Sequence, residues 1–217
     1  MIKPYYADDF VTIYQGDCRA ILPELGKVDI VATDPPYGMG YESNWTTDHQ
    51  KKGAIEGDDF YDCEMIAVMK SMARSALYAF GRWDNLTEGM PKPKSVIVWD
   101  KGGHSMGDLK HEYGRRWEMC CFWPGPNHSW GSTRPVDVIS TKRVSPDALI
   151  HPTEKPVGLM TKILSHSSGS TVLDPYCGSG STLRAAKDLG LSSIGIEIEE
   201  RFCEIAAKRA SQECFNF

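Results

Sequence analysis

Asp34-Pro35-Pro36-Tyr37 sets a carboxylate, two rigid prolines and a flat aromatic ring in four consecutive residues. The Asp34 carboxylate and the main-chain carbonyl of Pro35 both accept hydrogen bonds, and the prolines restrict how that carbonyl can move. Together they can take both protons of an exocyclic amino group such as that of adenine or cytosine. This turns the ring-delocalised lone pair outward and stabilises the positive charge that develops on nitrogen during attack on a methyl group. Tyr37 offers a face on which a base removed from its stack can lie. A strand that merely stops at Asp-Pro-Pro has the same local sequence, so the tetrapeptide needs a second motif to give it meaning.

That second motif is Asp174-Pro175-Tyr176-Cys177-Gly178-Ser179-Gly180. Its glycines permit a sharp turn between a strand and a helix, and a ligand can approach the turn without meeting a Cβ. Glu197 follows Gly178 by 19 residues at the end of the next strand, where a nucleotide-binding βαβ unit carries its ribose-binding carboxylate. Leu183 replaces the third glycine of a dinucleotide fingerprint, and no Gly-Lys-Ser/Thr follows. Both departures favour a nucleoside without phosphates. S-adenosylmethionine is such a ligand, with ribose hydroxyls suited to Glu197 and an ammonium suited to Asp174. A tight turn that binds nothing would read similarly.

Elements that position these motifs follow from alternating β-rich runs and helical periods, which predict a parallel sheet. Strands are expected at 11–15, 28–33, 77–80, 95–99, 117–123, 171–173 and 193–197. Helices are expected at 18–25, 62–75 with Asp62 as N-cap, 156–165 with Pro156 in the first turn, 181–189 stopped by Gly190, and 199–210. A short helix near 83–90 and a strand at 136–139 are weaker expectations. Residues 38–59 read as a lid-like loop, since loops of that length in compact domains are usually functional or disordered.

Length and composition place these elements in one domain. The chain has 217 residues with 41% hydrophobic and 24% charged content, which excludes disordered, collagenous and coiled-coil classes. No apolar run reaches membrane-spanning length and the opening MIKPYYADDF lacks a leader pattern, so a cytoplasmic location without membrane association is expected. Seven Cys with no CxxC fit reduced thiols, and six His without ligand spacing lead to the expectation of no metal site. Net charge is −5, yet 88–143 holds nine Lys and Arg against six Asp and Glu, locally +3, leaving −8 elsewhere. A binding face and a solvated charged surface account for that stretch equally well.

With both motifs in view, the chain resembles the amino-group DNA methyltransferases, which make N6-methyladenine or N4-methylcytosine. The resemblance rests on ATDPPYG (32–38), HPTEKP (151–156) and LDPYCGSGSTL (173–183), and covers nearly the whole chain. It implies an α/β fold with a Rossmann-like seven-stranded mixed sheet of the class I methyltransferase type, in the circularly permuted, β-type motif order. It implies one catalytic domain over 1–217, S-adenosylmethionine as cofactor and DNA as partner. Catalysis would fall to Asp34, Pro35, Pro36 and Tyr37. Gln15-Gly16-Asp17-Cys18 resembles a further cofactor motif, with Asp17 on the cofactor's adenine amino group. Glu197 would take the ribose, Asp174 and the Gly178 to Gly180 turn the methionine end, with Thr153 and Lys155 near its carboxylate. Tyr176 stands where the family usually has Phe.

In the same family Asp at the tetrapeptide's first position leans toward adenine. The region 124–150, where β-type enzymes carry a recognition domain, is short. Recognition would then draw on inserts at 38–59, 100–116 and 124–150, with Lys110, Arg115, Arg116, Arg134, Lys142 and Arg143 as DNA contacts, and a homodimer is a further way to enlarge the surface. Cytosine-C5 chemistry is excluded, because none of the 13 prolines precedes a cysteine nucleophile. RNA adenine methylation is the leading alternative enzyme, and a cofactor-binding partner subunit the alternative outside catalysis.

Overall fold

The computed structural model describes residues 2–36, 46–47, 50–51, 62–83, 90–103, 110–111, 113–130, 133–144 and 154–212. Tyr37, Thr153, most of the 38–59 loop, the tip of the 100–116 connection and the interior of the 83–90 segment lie outside them.

In chain order the strands are β1 (Tyr6–Ala7), β2 (Val11–Gln15), β3 (Val28–Thr33), β4 (Thr46–Thr47), β5 (Gln50–Lys51), β6 (Ala73–Gly81), β7 (Ser95–Asp100), β8 (Trp117–Pro124), β9 (Val138–Ser140), β10 (Thr171–Asp174) and β11 (Ser192–Glu197). The helices are α1 (Cys18–Ile21), α2 (Cys63–Met72), α3 (Val157–Leu164), α4 (Ser181–Asp188) and α5 (Glu200–Ser211). One sheet runs β1-β2-β11-β10-β3-β6-β8-β7-β9, and β4 pairs with β5 in a separate ribbon. Its seven inner strands are the seven expected. Two short strands extend the edges: β1, which hydrophobic periodicity did not reveal, and β9, which overlaps the strand expected at 136–139. Strands β2, β11, β10, β3 and β6 are mutually parallel, whereas β8 is antiparallel to both β6 and β7.

Alternation along the strands explains why both faces of the sheet are covered. Val31, Leu77 and Ala79 belong to the core under α1 and α2, while Ile30, Ala32, Ala76, Tyr78 and Phe80 face the core that α3 and α4 complete. Helix α5 packs on α4 and closes a third cluster over Val11 and Ile13. Strands buried on both faces read as continuous apolar runs, as 28–33 and 76–80 do.

Boundaries moved where tertiary contacts outweighed local pattern. The helix expected over 62–75 ends at Met72, and β6 begins at the next residue, because Ala73 pairs with Val28 of β3. Asp62 does cap α2, accepting from Met65 N at 3.0 Å, a contact worth about 1 kcal/mol. The helix expected at 18–25 is α1 followed by a 3₁₀ turn at Leu22–Glu24, where Pro23 cannot donate to the helical ladder. Pro156 is the N-cap of α3 rather than its first residue. The strand expected at 136–139 is displaced to Val138–Ser140, in register with Val98 to Asp100 of β7. All strands parallel to β3 end at one edge, and there the motifs meet.

Candidate active site

β10 and β3 are parallel neighbours, with Val172 opposite Ile30 and Leu173 opposite Val31, so Asp174 and Asp34 emerge beside each other although 140 residues separate them. The strands are also tied at their tips. Thr33 Oγ1 donates to Asp174 Oδ1 at 2.7 Å, and the Tyr176 main-chain N–H donates to the same oxygen at 3.1 Å. Asp174 is only 3% exposed, and burial pushes its carboxyl up to about 6. The hydroxyls of Thr182 and Thr33 and the Tyr176 amide oppose that rise without cancelling it.

Past Asp174 the chain turns through Gly178 (φ 48°) and Gly180 (φ 82°), both in the left-handed region that glycine tolerates. A side chain at Gly180 would bring its Cβ within 2.9 Å of Ala206 Cβ on α5, so that turn and that helix can be close only because the position is glycine. At the tip of β11, Glu197 accepts from Gly178 N through Oε2 at 2.9 Å and from Glu199 N through Oε1 at 2.8 Å. Burial raises its carboxyl above the ordinary value against these amide bonds. Gly16 N donates to Glu197 O at 2.9 Å, which sets Asp17 beside the same tip. Asp17 caps α1 by accepting from Arg19 N, and Cys18 is buried with its thiol paired to the Tyr176 hydroxyl.

The Asp34 side of the crevice is built differently. Asp34 is half-buried and Pro35 is buried. Lys155, 7% exposed, donates from Nζ to Asp34 Oδ2, lies 3.4 Å from Glu118 Oε2 on β8 and sits 4.9 Å over the Phe80 ring. Lys101, just past β7, reaches Glu118 Oε1 at 3.1 Å. Burial would lower the Lys155 ammonium, but the two carboxylates outweigh it and hold the group above its ordinary value. Burial would likewise raise Glu118, and Lys155 and Lys101 bring it below instead.

Sequence reasoning missed Glu118, Lys101, Thr33 and Arg209. Arg209 on α5 donates to Ser179 and Ser181 of the glycine turn at 3.1 and 2.8 Å and to Glu154 Oε1 at 2.6 Å. Consecutive residues of the HPTEKP segment therefore have different attachments: Glu154 to the turn through Arg209, Lys155 to Asp34. Glu118 is a lone charge on β8 and Arg209 one of several charges on α5, and no local signal distinguished these residues.

The basic residues divide by edge. Lys110, Arg115 and Arg116 belong to the β7–β8 connection, and Lys142 and Arg143 follow β9; all five are exposed and lie at the edge where Asp34 and Glu197 end. Arg116 is committed to Asp100 through two bonds of 2.7 and 2.9 Å, which lowers its availability to a phosphate. Arg134 departs from the expectation of a shared face. The chain reaches β9 from the opposite edge, where Trp130 bridges Ser167 ahead of β10, and Arg134 lies on that approach. Among the described residues, no group of three His, Cys, Asp or Glu is arranged to hold a metal ion, and no helix is long and apolar enough to cross a membrane.

The strand order, the reversed strand β8 and the glycine turn at the parallel edge define a class I methyltransferase fold. The crystal structure of the M1.HpyAVI–SAM complex superposes with a TM-score of 0.70 at 23% identity, covering 93% of this chain and 100% of that one. PvuII DNA methyltransferase (cytosine-N4-specific) gives 0.72 at 12% identity, covering 99% and 91%. A family profile described as DNA methylase matches residues 55–208, and the chain belongs to that N6/N4 family, with S-adenosylmethionine as methyl donor. Curated relatives include the putative methylase YubD of Escherichia coli K12, 30% identical over 90% of this chain and 88% of its own length. Type II methyltransferase M2.DpnII of Streptococcus pneumoniae is 28% identical over 98% and 94%.

The site's chemistry fits that donor. Both Glu197 oxygens accept main-chain amides, and the carboxylate keeps acceptor capacity for a ribose hydroxyl. Asp174, buried and in no ion pair among the described residues, suits the positively charged end of that donor.

Proposed function

We propose that this DNA methyltransferase transfers a methyl group to the N6 amino group of adenine, acting through one catalytic domain that spans the chain. The observation that carries the reading is Asp34 at the tip of β3, beside the cofactor-side carboxylate Asp174 and in contact with the Lys155 ammonium. The relative DNA adenine methyltransferase YhdJ of Escherichia coli K12, 26% identical over 94% of this chain, supports adenine, as does Asp at the first position of the tetrapeptide. Relatives described as Type II methyltransferases support a restriction-modification setting.

In this reading the bound cofactor supplies an electrophilic sulfonium methyl. Glu197 holds its ribose hydroxyls, Asp17 its adenine amino group, and Asp174 its ammonium, while Gly178 and Gly180 let the methionine end approach the backbone. Asp34 and the Pro35 carbonyl accept hydrogen bonds from the two N6 hydrogens of an extruded adenine, and Tyr37 stacks on the base. The nitrogen lone pair would thereby be turned toward the donated methyl; the donor's sulfur would leave as a neutral thioether and the methylated nitrogen would lose its extra proton to solvent, with no covalent intermediate on the protein. Lys142, Arg143, Lys110 and Arg115 meet the phosphate backbone from the same edge.

Mass spectrometry of nucleosides from unmethylated DNA, incubated with the purified chain and S-adenosylmethionine, tests the assignment. N6-methyladenine is the expected product. N4-methylcytosine alone would move the base and overturn the adenine reading, and a methylated RNA control with unmodified DNA would overturn the substrate.

A further inference from the structure

The role proposed for Asp34 needs its carboxylate held in one orientation, and the Lys155 ammonium is placed against it to do so. A carboxylate at the end of a buried strand drifts toward its neutral form, as Asp174 on the adjacent strand does. Asp34 has a buried ammonium against it instead. Lys155 comes from the segment before α3, Glu118 from β8 and Lys101 from the end of β7, so four elements contribute to a row of alternating charges: Asp34, Lys155, Glu118, Lys101. The Phe80 ring forms the floor beneath Lys155. The row is neutral as a whole, so Lys155 can restrain Asp34 without presenting a net positive field to an amino nitrogen that is itself becoming positive.

We propose that Lys155 is a positioning residue for methyl transfer, orienting the Asp34 carboxylate toward the target amino group, and that Glu118 orients Lys155 in turn. Lys155 occupies Oδ2 of a group with acceptor sites on two oxygens, and its bond selects one rotamer of Asp34. Glu118 lies at the base of the β7–β8 connection that carries Lys110, Arg115 and Arg116, so the row also joins the catalytic carboxylate to the basic edge. Cys120 on β8 and Asp174 on β10 are the other titratable groups that sense Asp34, and Lys101 faces the row from beyond Glu118. This inference rests on the proposed role of Asp34 and is independent of which base is methylated.

The test is single-turnover methyl transfer as a function of pH, with calorimetric cofactor affinity measured on the same preparations. In Lys155→Met, transfer should fall about 100-fold, as expected for a misplaced reacting group. Cofactor affinity should stay within about threefold of the parent, and the acid limb of the rate profile should move to higher pH, because the carboxylate loses the ammonium against it. Lys155→Arg keeps the charge and should leave the acid limb in place while lowering the rate. The double variant Lys155→Met with Glu118→Gln removes one charge of each sign and keeps the row balanced, which preserves folding if the single change does not. It should show the same slow transfer. A loss of cofactor affinity in proportion to the rate would overturn the proposal and assign Lys155 to the cofactor's carboxylate. An unchanged rate and acid limb in either Met variant would overturn it as well. Transfer to cytosine by the parent protein would sink the adenine assignment alone and leave these comparisons intact.

Discussion

Two ends of one crevice treat buried negative charge in opposite ways. At the glycine turn, Asp174 and Glu197 are surrounded by hydroxyls and main-chain amides, and burial raises both carboxyls. Around β3, Asp34 and Glu118 alternate with Lys155 and Lys101, and the lysines hold Glu118 below its ordinary value. Dipoles stabilise a carboxylate only partly when water is excluded, whereas an adjacent ammonium reverses the effect of burial. On the function proposed above, the first end is completed from outside, by the ammonium of the methyl donor at Asp174 and its ribose hydroxyls at Glu197. The second end has its cation built in, and on the same proposal it offers a charge-balanced acceptor to a neutral amino group.

The largest break in this comparison should come from Asp34→Ala. Transfer should fall by about 10³-fold while cofactor affinity is kept, since only the substrate end loses a group. Collapse of cofactor affinity in calorimetry would show that the two ends are not separable. Gly178→Val should act in reverse, because a β-branched residue at φ 48° is strained. Cofactor affinity should drop roughly 100-fold and transfer with it, and normal binding by that variant would dismiss the turn as the pocket.

A smaller effect separates the ends by pH. Asp174 holds a proton up to about 6 in the folded protein, above its ordinary 3.8. Its contribution to stability is therefore full at low pH and lost as pH rises through about 6. Cofactor binding should have the opposite sign, since an ammonium prefers the ionised group. Affinity should weaken about tenfold between roughly pH 7 and pH 5, and Asp174→Asn should flatten that dependence; an unchanged slope in calorimetry would remove Asp174 from the ammonium site. The mildest change concerns the edges. Replacing Lys142 and Arg143 together by Ala should weaken DNA binding and reduce the salt slope by about two, measured by fluorescence anisotropy. Arg134→Ala, on the opposite approach, should leave that slope within error.

Much of this architecture is legible from local pattern, because doubly buried strands read as apolar runs and helices declare themselves by caps and glycine stops. All seven inner strands and the Asp62 cap follow from that logic. The edge strand β1 has only two residues, Tyr6 and Ala7, too few for any period to show, and β9 is located by pairing with β7 rather than by composition. The end of α2 at Met72 was invisible for a similar reason: its helical period runs on into β6, and only the neighbouring strand β3 decides where the chain extends.

The site divides along the same line. Asp34, Asp174 and the glycine turn belong to short contiguous motifs and Glu197 stands at a fixed spacing from them, and the sequence alone singled them out as candidates along with the order of the fold. Glu118, Lys101 and Arg209 are single charged residues on elements far apart in the chain, and the partner of Lys155 could not be read from HPTEKP. Only the tertiary structure decided those roles, as it decided that Arg134 and Arg143 lie toward opposite edges. A motif's chemistry is carried by its covalent spacing, but the charge that tunes a buried carboxylate depends on which side chains the completed sheet brings within a few ångströms of it.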